Sequence, residues 1–286
     1  MVEFASGYPC NEDGWILFPR DSTLRKEYYP EEVFNHPAKA NLYLVQELTR
    51  YLTKPGDSII DPFGGTGTQL ISAWEDRTVV LIEIEEQFQN LISGVMAEWA
   101  RRTPPPTGKM MLFSGDNRQK LKDIQFLCDA AIFSPPYSTA LAGSGGAFAV
   151  SDSDPDKGVK GEYSATMAKS YGKGQLSGYS GKAANALNLG RLNPFYFMQA
   201  MDTVYSRLNS RLVSKAPMAV IVKDFMQGPK RVMISEQTIK QARRNGFELE
   251  EWFKWKPPGS GMQAIARSKG YNVVLDEDIL LFRKKE

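Results

Sequence analysis

The sequence predicts an α/β fold built on a mostly parallel sheet, and three observations carry that prediction. Short apolar runs alternate with stretches of helical periodicity along most of the 286 residues, the pattern of strands joined by helices that cross the sheet. The run Asp57-Ser58-Ile59-Ile60 leads into Asp61-Pro62-Phe63-Gly64-Gly65-Thr66-Gly67-Thr68 and then Gln69-Leu70-Ile71-Ser72-Ala73-Trp74. Strand, glycine turn and helix start in that order open a nucleotide-type cofactor site, because glycines let the chain turn sharply and let a ligand approach the backbone. A further apolar run, Thr78-Val79-Val80-Leu81-Ile82, ends in Glu83, about 20 residues beyond Asp61, where a carboxylate can take both hydroxyls of a ribose.

Composition narrows the function classes. The chain is 42% hydrophobic and 24% charged, the balance of a globular protein long enough for a sizeable core, and a single domain over residues 1–286 is expected. A net charge of +2 gives no global attraction for nucleic acid, so any such contact must be local. Two distant cysteines, Cys10 and Cys128, and one histidine in the whole chain argue against a disulfide framework or a metal centre. Cys128 stands in an apolar run and is expected in the core. No signal peptide opens the sequence and no stretch of about 18 apolar residues occurs, so the expectation is a cytoplasmic protein with no membrane span.

Taken in order, residues 1–33 read as irregular. Tyr28-Tyr29-Pro30 suits packing on the domain or a substrate contact. In Phe34-Asn35-His36-Pro37, Pro37 stands where a helix can begin. Leu42, Leu44, Val45, Leu48, Tyr51 and Leu52 follow at helical spacing. His36 has two readings, a satisfied loop histidine or a cofactor contact. After Glu83, strand alternation puts Glu85 on the same face, so the two carboxylates compete for one role. A helix is expected over 87–101, with Phe88, Leu91, Ile92, Val95 and Trp99 inward, then a proline-rich turn over 103–108 and a short strand, Met110-Met111-Leu112-Phe113. Asp116, with Asn117 after it, ends that strand and has two uses: an acceptor for a cofactor amine or the cap of the next helix. Asp129–Phe133 reads as a buried strand.

From 138 to 190 the composition changes to Gly, Ser, Ala and Lys with little apolar periodicity. A loop that long inside a compact domain is a functional element or a solvated linker. Lys169, Lys173 and Lys182 with Tyr163, Tyr171 and Tyr179 suit a phosphate backbone and exposed bases. Regular structure resumes at Asn193-Pro194, with helices over about 194–208 and 235–245 and strands at Ala219–Val222, Phe247–Trp255 and Asp278–Phe282. The last two can pair antiparallel.

The glycine turn on its own is ambiguous. Leu70 stands where a dinucleotide fingerprint has its third glycine, and no Gly-Lys-Ser/Thr follows as in a Walker loop. The second motif, Ser134-Pro135-Pro136-Tyr137, sits at the end of a buried strand. Its prolines fix φ and remove two donors, leaving carbonyls free to accept beside one hydroxyl and one ring. Together the two motifs resemble those of the DNA amino-methyltransferases that use S-adenosylmethionine, whose glycine motif is Asp-Pro-Phe-x-Gly-x-Gly and whose catalytic motif is Ser/Asn/Asp-Pro-Pro-Tyr/Phe. The resemblance runs from about Phe34 to the C-terminus.

That resemblance implies a Rossmann-like class I methyltransferase: a mostly parallel seven-stranded sheet with helices on both faces and a long insertion after the catalytic motif, and the composition of 138–190 makes that insertion a candidate mobile, DNA-contacting loop. The resemblance implies that His36, Pro37, Asp61, Pro62, Phe63, Gly65, Gly67, Thr68, Glu83, Asp116 and Asn117 hold S-adenosylmethionine. It gives Ser134, Pro135, Pro136 and Tyr137 the chemistry; the basic, tyrosine-bearing composition of the loop offers Lys169, Lys173, Tyr179 and Lys182 for the substrate. The implied reaction methylates the exocyclic amine of a flipped DNA base, cytosine N4 by the Ser-Pro-Pro-Tyr form. Adenine N6, an amine in RNA or protein, and a catalytically silent nucleic-acid binding module are the alternatives. DNA is the implied partner; a cognate restriction enzyme is left open.

Overall fold

The structure, a computed structural model, describes residues 3–35, 39–136, 187–227, 230–259, 267–268 and 270–286. Its centre is a seven-stranded sheet in the order β3-β2-β1-β4-β5-β9-β8. The strands are β1 (Ser58–Asp61), β2 (Thr78–Glu83), β3 (Met110–Ser114), β4 (Ala130–Phe133), β5 (Pro217–Val222), β8 (Phe247–Trp255) and β9 (Glu277–Lys284). The first five are parallel, while β9 runs antiparallel to both β5 and β8. A small hairpin, β6 (Phe225–Gln227) with β7 (Lys230–Val232), follows β5.

Period-two alternation sends neighbouring side chains to opposite faces. Ile60, Val80, Ile82, Phe133 and Val220 pack beneath α4 (Asn117–Asp123), α5 (Pro194–Asn209) and α6 (Ile234–Arg244), meeting Leu121, Val204, Leu208 and Ile239. Ile59, Ile132, Ala219 and Leu281 face Leu44 and Leu48 of α2 (Leu42–Leu52). Val79 and Leu81 face Ile92, Val95 and Trp99 of α3 (Glu86–Trp99). Burying each such side chain stabilises the fold by about 1.5–3 kcal/mol. Cys128 is fully buried in this core.

Four expectations are corrected. The helix expected from Pro37 starts at Leu42, because the Asn41 side chain accepts from the backbone N–H of Tyr43 and Leu44 and so caps it there. The helix expected after the glycine turn is a 3-10 segment, Thr68–Glu75, entered from left-handed Gly67 and closed by left-handed Asp76. Residues 1–33 are not irregular throughout: α1 (Ser22–Tyr28) lies there, and Ile16 bridges to Trp255 on the edge strand β8. The buried residue of α1 is Arg25, which apolar periodicity cannot detect. Finally, residues 187–190 of the expected loop are ordered, Asn188 capping a 3-10 turn over Leu189–Arg191. The rest of that loop lies outside the described residues.

Candidate active site at the carboxyl edge of the sheet

The strand order reverses between β1 and β4, and ligands of open α/β sheets bind at such a switch point beyond the carboxyl ends of the strands. A cavity of about 330 Å³ opens there, within the usual range for a small-molecule site. Asp61 ends β1 and folds its Oδ1 back to accept from Phe63 N–H at 2.8 Å. Gly64 N–H donates to Ile82 O and Gly67 N–H to Gly64 O, both at 2.8 Å. Gly65 and Gly67 have φ of 52° and 77°, the left-handed region that glycine tolerates. The turn is braced from behind. The Tyr29 hydroxyl donates to the carbonyls of Gly67 and Thr68 at 3.2 and 2.9 Å, and Arg25 Nη1 donates to Thr68 Oγ1 at 3.2 Å.

Three buried carboxyls line the cavity, Asp61, Glu83 and Glu85. Glu83 accepts from the backbone N–H of Gly65 at 2.6 Å, Ile84 at 2.9 Å and Glu85 at 2.8 Å. Burial outweighs those bonds and pushes its pKa up to about 7. Burial also pushes Asp61 up to about 7, the Phe63 N–H offsetting only part of the effect. The structure brings both competing carboxylates to the cavity: Glu85 stands just beyond the end of β2, at the start of α3, and accepts from Asn188 Nδ2 at 2.6 Å. Asp116 is likewise placed at the cavity, but its carboxylate caps α4 through Arg118 N–H and pairs with the Arg118 guanidinium at 2.8 Å.

Asn117, next to it, donates from Nδ2 to Pro62 O at 2.9 Å. That bond fixes which end of the amide is the acceptor. Its Oδ1 is buried with no hydrogen-bond partner among the described residues, a polar atom that costs stability unless something donates to it. Left-handed glycines, a carboxylate after β2 and an orphaned acceptor after β3 together suit an adenosine-type cofactor.

Ser134, Pro135 and Pro136 follow β4 and line the same cavity, Pro135 buried and its neighbours half-buried. The cavity thus gathers Asp61, Pro62, Phe63, Gly65, Thr68, Glu83, Asp116, Asn117 and the Ser-Pro-Pro segment. Gly67 supports the turn without lining the cavity. His36, Pro37, Tyr137, Lys169, Lys173, Tyr179 and Lys182 lie outside the described residues. Sequence reasoning missed Lys39, Asn188, Lys223 and Glu277, which also line the cavity. Burial and the nearby Arg25 guanidinium lower the Lys39 pKa to about 8. Lys223, at the end of a recognised strand, had a positional signal; Glu277 had none, because its place depends on β9 pairing with β5.

Among the described residues no group of three His, Cys, Asp or Glu side chains is placed to hold a metal ion, and no helix is long and apolar enough to cross a membrane.

A family model for DNA methylase, covering the N6 and N4 amino-methyltransferases, matches residues 12–94. No curated protein sequence matches the chain. The fold is similar to that of a methyltransferase from Pyrococcus furiosus, with a TM-score of 0.50, 9% identity, and 93% of this chain and 95% of that chain covered. A precorrin-6y C5,15-methyltransferase from Geobacter metallireducens aligns with a TM-score of 0.48, 10% identity and coverage of 94% and 98%. TrmN from Thermus thermophilus aligns with a TM-score of 0.47 and 12% identity over 87% of this chain, which spans 50% of TrmN's length. The architecture is the class I methyltransferase fold.

Proposed function

We propose that this chain transfers a methyl group from S-adenosylmethionine to the exocyclic amine of a DNA base, cytosine N4. The observation that carries the reading is one cavity lined by both motifs: the Asp61–Gly65 turn with Glu83 on one side and Ser134-Pro135-Pro136 on the other. The match of residues 12–94 to the DNA methylase model supports it. The cofactor, S-adenosylmethionine, supplies a methyl group on a positively charged sulfur when bound. Glu83 takes the ribose hydroxyls, Asn117 Oδ1 takes the adenine amine, and Gly65 leaves its backbone open to close approach.

The base amine is a poor nucleophile because its lone pair is delocalised into the ring. Ser134 Oγ accepts one amine hydrogen and the Pro135 carbonyl the other, which turns the lone pair toward the methyl donor. The prolines hold that carbonyl in a fixed direction. Placement of this kind supplies several kcal/mol of the barrier reduction. Extruding the base from a duplex costs a few kcal/mol. Stacking on Tyr137 returns about 1–3 kcal/mol, and Lys169, Lys173 and Lys182 with Tyr179 supply contacts to the strand.

Nucleoside mass spectrometry on DNA from an expressing strain tests the reading, and N4-methylcytosine is expected. N6-methyladenine without N4-methylcytosine would transfer the reading to adenine, the second base that the family model covers. Ser134→Ala is expected to bind S-adenosylmethionine with unchanged affinity by calorimetry and to lose most turnover. No methylated base together with no cofactor binding overturns the assignment.

A further inference from the structure

Two charged side chains stand on the far side of Ser134 from the cofactor residues. The sheet order runs from Glu83 on β2 through Asp61 on β1 and Ser134 after β4 to Lys223 after β5 and Glu277 at the start of β9. The antiparallel register of Val222 with Asp278 sets residues 223 and 277 side by side at the carboxyl edge. Both line the cavity. Lys223 Nζ lies 3.5 Å from Glu277 Oε1, with side chains 15% and 21% exposed.

That contact differs from the ion pairs beside it. Arg231 meets Asp224 at 2.9 Å and Asp276 at 2.7 Å, and Lys254 meets Asp278 at 2.6 Å. These close, multiply bonded pairs lock the β6–β7 hairpin and β8 to β9, and none of the five lines the cavity. A largely buried pair repays its desolvation only when the geometry is close. Lys223 and Glu277, at the outer limit of a hydrogen bond, keep bonding capacity that faces the cavity.

The cofactor residues occupy the β1–β2 side, so an acceptor reaching Ser134 rests against the β5–β9 side. Once Ser134 Oγ and the Pro135 carbonyl take the two amine hydrogens, a cytosine edge has only acceptors left, N3 and O2. A lysine ammonium offers donors alone and a carboxylate acceptors alone. We propose that Lys223 donates to N3 and O2 of the extruded cytosine and that Glu277 is the positioning residue holding the ammonium there. This rests on the methyl-transfer reading. Adenine presents a single ring acceptor, N1, on the corresponding edge, so the same lysine favours cytosine.

The test uses the full-length protein with Lys223→Met, Lys223→Arg and Glu277→Gln, assayed on DNA from a strain that lacks the enzyme. Lys223→Met is expected to remain folded, with a lowered unfolding temperature because Glu277 loses its partner, and to bind S-adenosylmethionine within twofold of wild type. Its kcat/KM on DNA should fall roughly 100-fold, the scale of a lost charge-assisted bond. Its ratio of N6-methyladenine to N4-methylcytosine should rise. Lys223→Arg, which keeps a cationic donor, should recover most of the loss, and Glu277→Gln should lose about tenfold. If Lys223→Met methylates cytosine as fast as wild type, this proposal alone is overturned. Weakened cofactor binding in that variant also overturns it, by placing Lys223 in the cofactor site. If the wild-type protein methylates adenine and leaves cytosine unmodified, this proposal falls and the methyl-transfer reading stands; no methylated base together with no S-adenosylmethionine binding removes both. Should Lys223→Met fail to fold, Lys223→Arg and Glu277→Gln decide it: wild-type kcat/KM in both is the overturning result.

Discussion

Gly65 and Gly67 share a left-handed conformation and differ in what surrounds them. A Cβ on Gly67 would sit 3.1 Å from Ile92 Cγ1 and 3.2 Å from Leu70 Cδ1, whereas one on Gly65 would meet only Phe63 O at 3.7 Å. Gly67→Ala is therefore expected to act on stability, through crowding and the roughly 1–2 kcal/mol cost of left-handed backbone. Gly65→Val carries the same left-handed backbone cost without the crowding, and is expected in addition to abolish S-adenosylmethionine binding by putting a branched side chain where the cofactor lies. Thermal unfolding and calorimetry on both variants separate the two effects. Glu83→Ala should weaken cofactor binding too, since each charge-assisted bond is worth about 1.5–3 kcal/mol. Unchanged affinity in Gly65→Val and Glu83→Ala would remove the basis of the cofactor site. At this scale a residue's arrival at the cavity was legible wherever it follows from its place on its own strand, as with Asp61, Glu83 and Ser134. Asn117 was read as a neighbour of Asp116, because the orphaned Oδ1 emerges only when Pro62 takes the other end of the amide. Glu277 was invisible because its place is set by a strand pairing between distant segments.

The element that sequence periodicity could not supply is α1 with the turn that follows it. Arg25 is 1% exposed; its guanidinium donates to Asp21, Thr68 and the Ala40 carbonyl, and Asp21 in turn accepts from Leu42 N–H at the start of α2. One charged side chain thus ties α1, the glycine turn and α2 together. Tyr29 adds the two bonds to Gly67 and Thr68, and its ring packs edge-on to Trp99. A helix whose inward residue is an arginine carries no apolar stripe, so a hydrophobic pattern reads it as loop. The seven strands of the main sheet, by contrast, were legible to within a few residues, since β4 and β5 are continuous buried runs, while the short β6–β7 hairpin was not read. Arg25→Met should destabilise the protein by about 3 kcal/mol by leaving buried partners unpaired, read from urea unfolding. Tyr29→Phe should cost about 1 kcal/mol and still weaken S-adenosylmethionine binding, because the turn loses its brace. Full cofactor affinity in a folded Tyr29→Phe protein would mean that the turn holds its shape unaided.

At the scale of the whole molecule, placing Asp61 and Glu83 at the ends of adjacent buried strands links the fold to pH. Both carboxyls titrate near 7 in the folded protein, against ordinary values of 3.8 and 4.5, and desolvation is the first cause in each. A raised carboxyl favours folding while it is protonated. Its contribution is complete below about pH 4, fades as pH rises through about 7, and is gone above that; its size is on the order of 3 kcal/mol for each group. The ligand-free protein should therefore lose thermal stability between pH 5 and pH 8. Cofactor binding works in the opposite direction. Hydroxyl groups donating to Glu83 and a positively charged ligand both favour the ionised carboxyls, so binding should release protons below pH 7 and tighten as pH rises to about 8. Calorimetry in buffers of different ionisation enthalpy measures that release directly, and melting temperature with and without S-adenosylmethionine should diverge as pH increases. Glu83→Gln should flatten both trends, with Asp61 supplying what dependence remains. Cofactor affinity that is constant from pH 5.5 to 8 in the wild-type protein would show that these carboxyls do not change ionisation when the ligand binds.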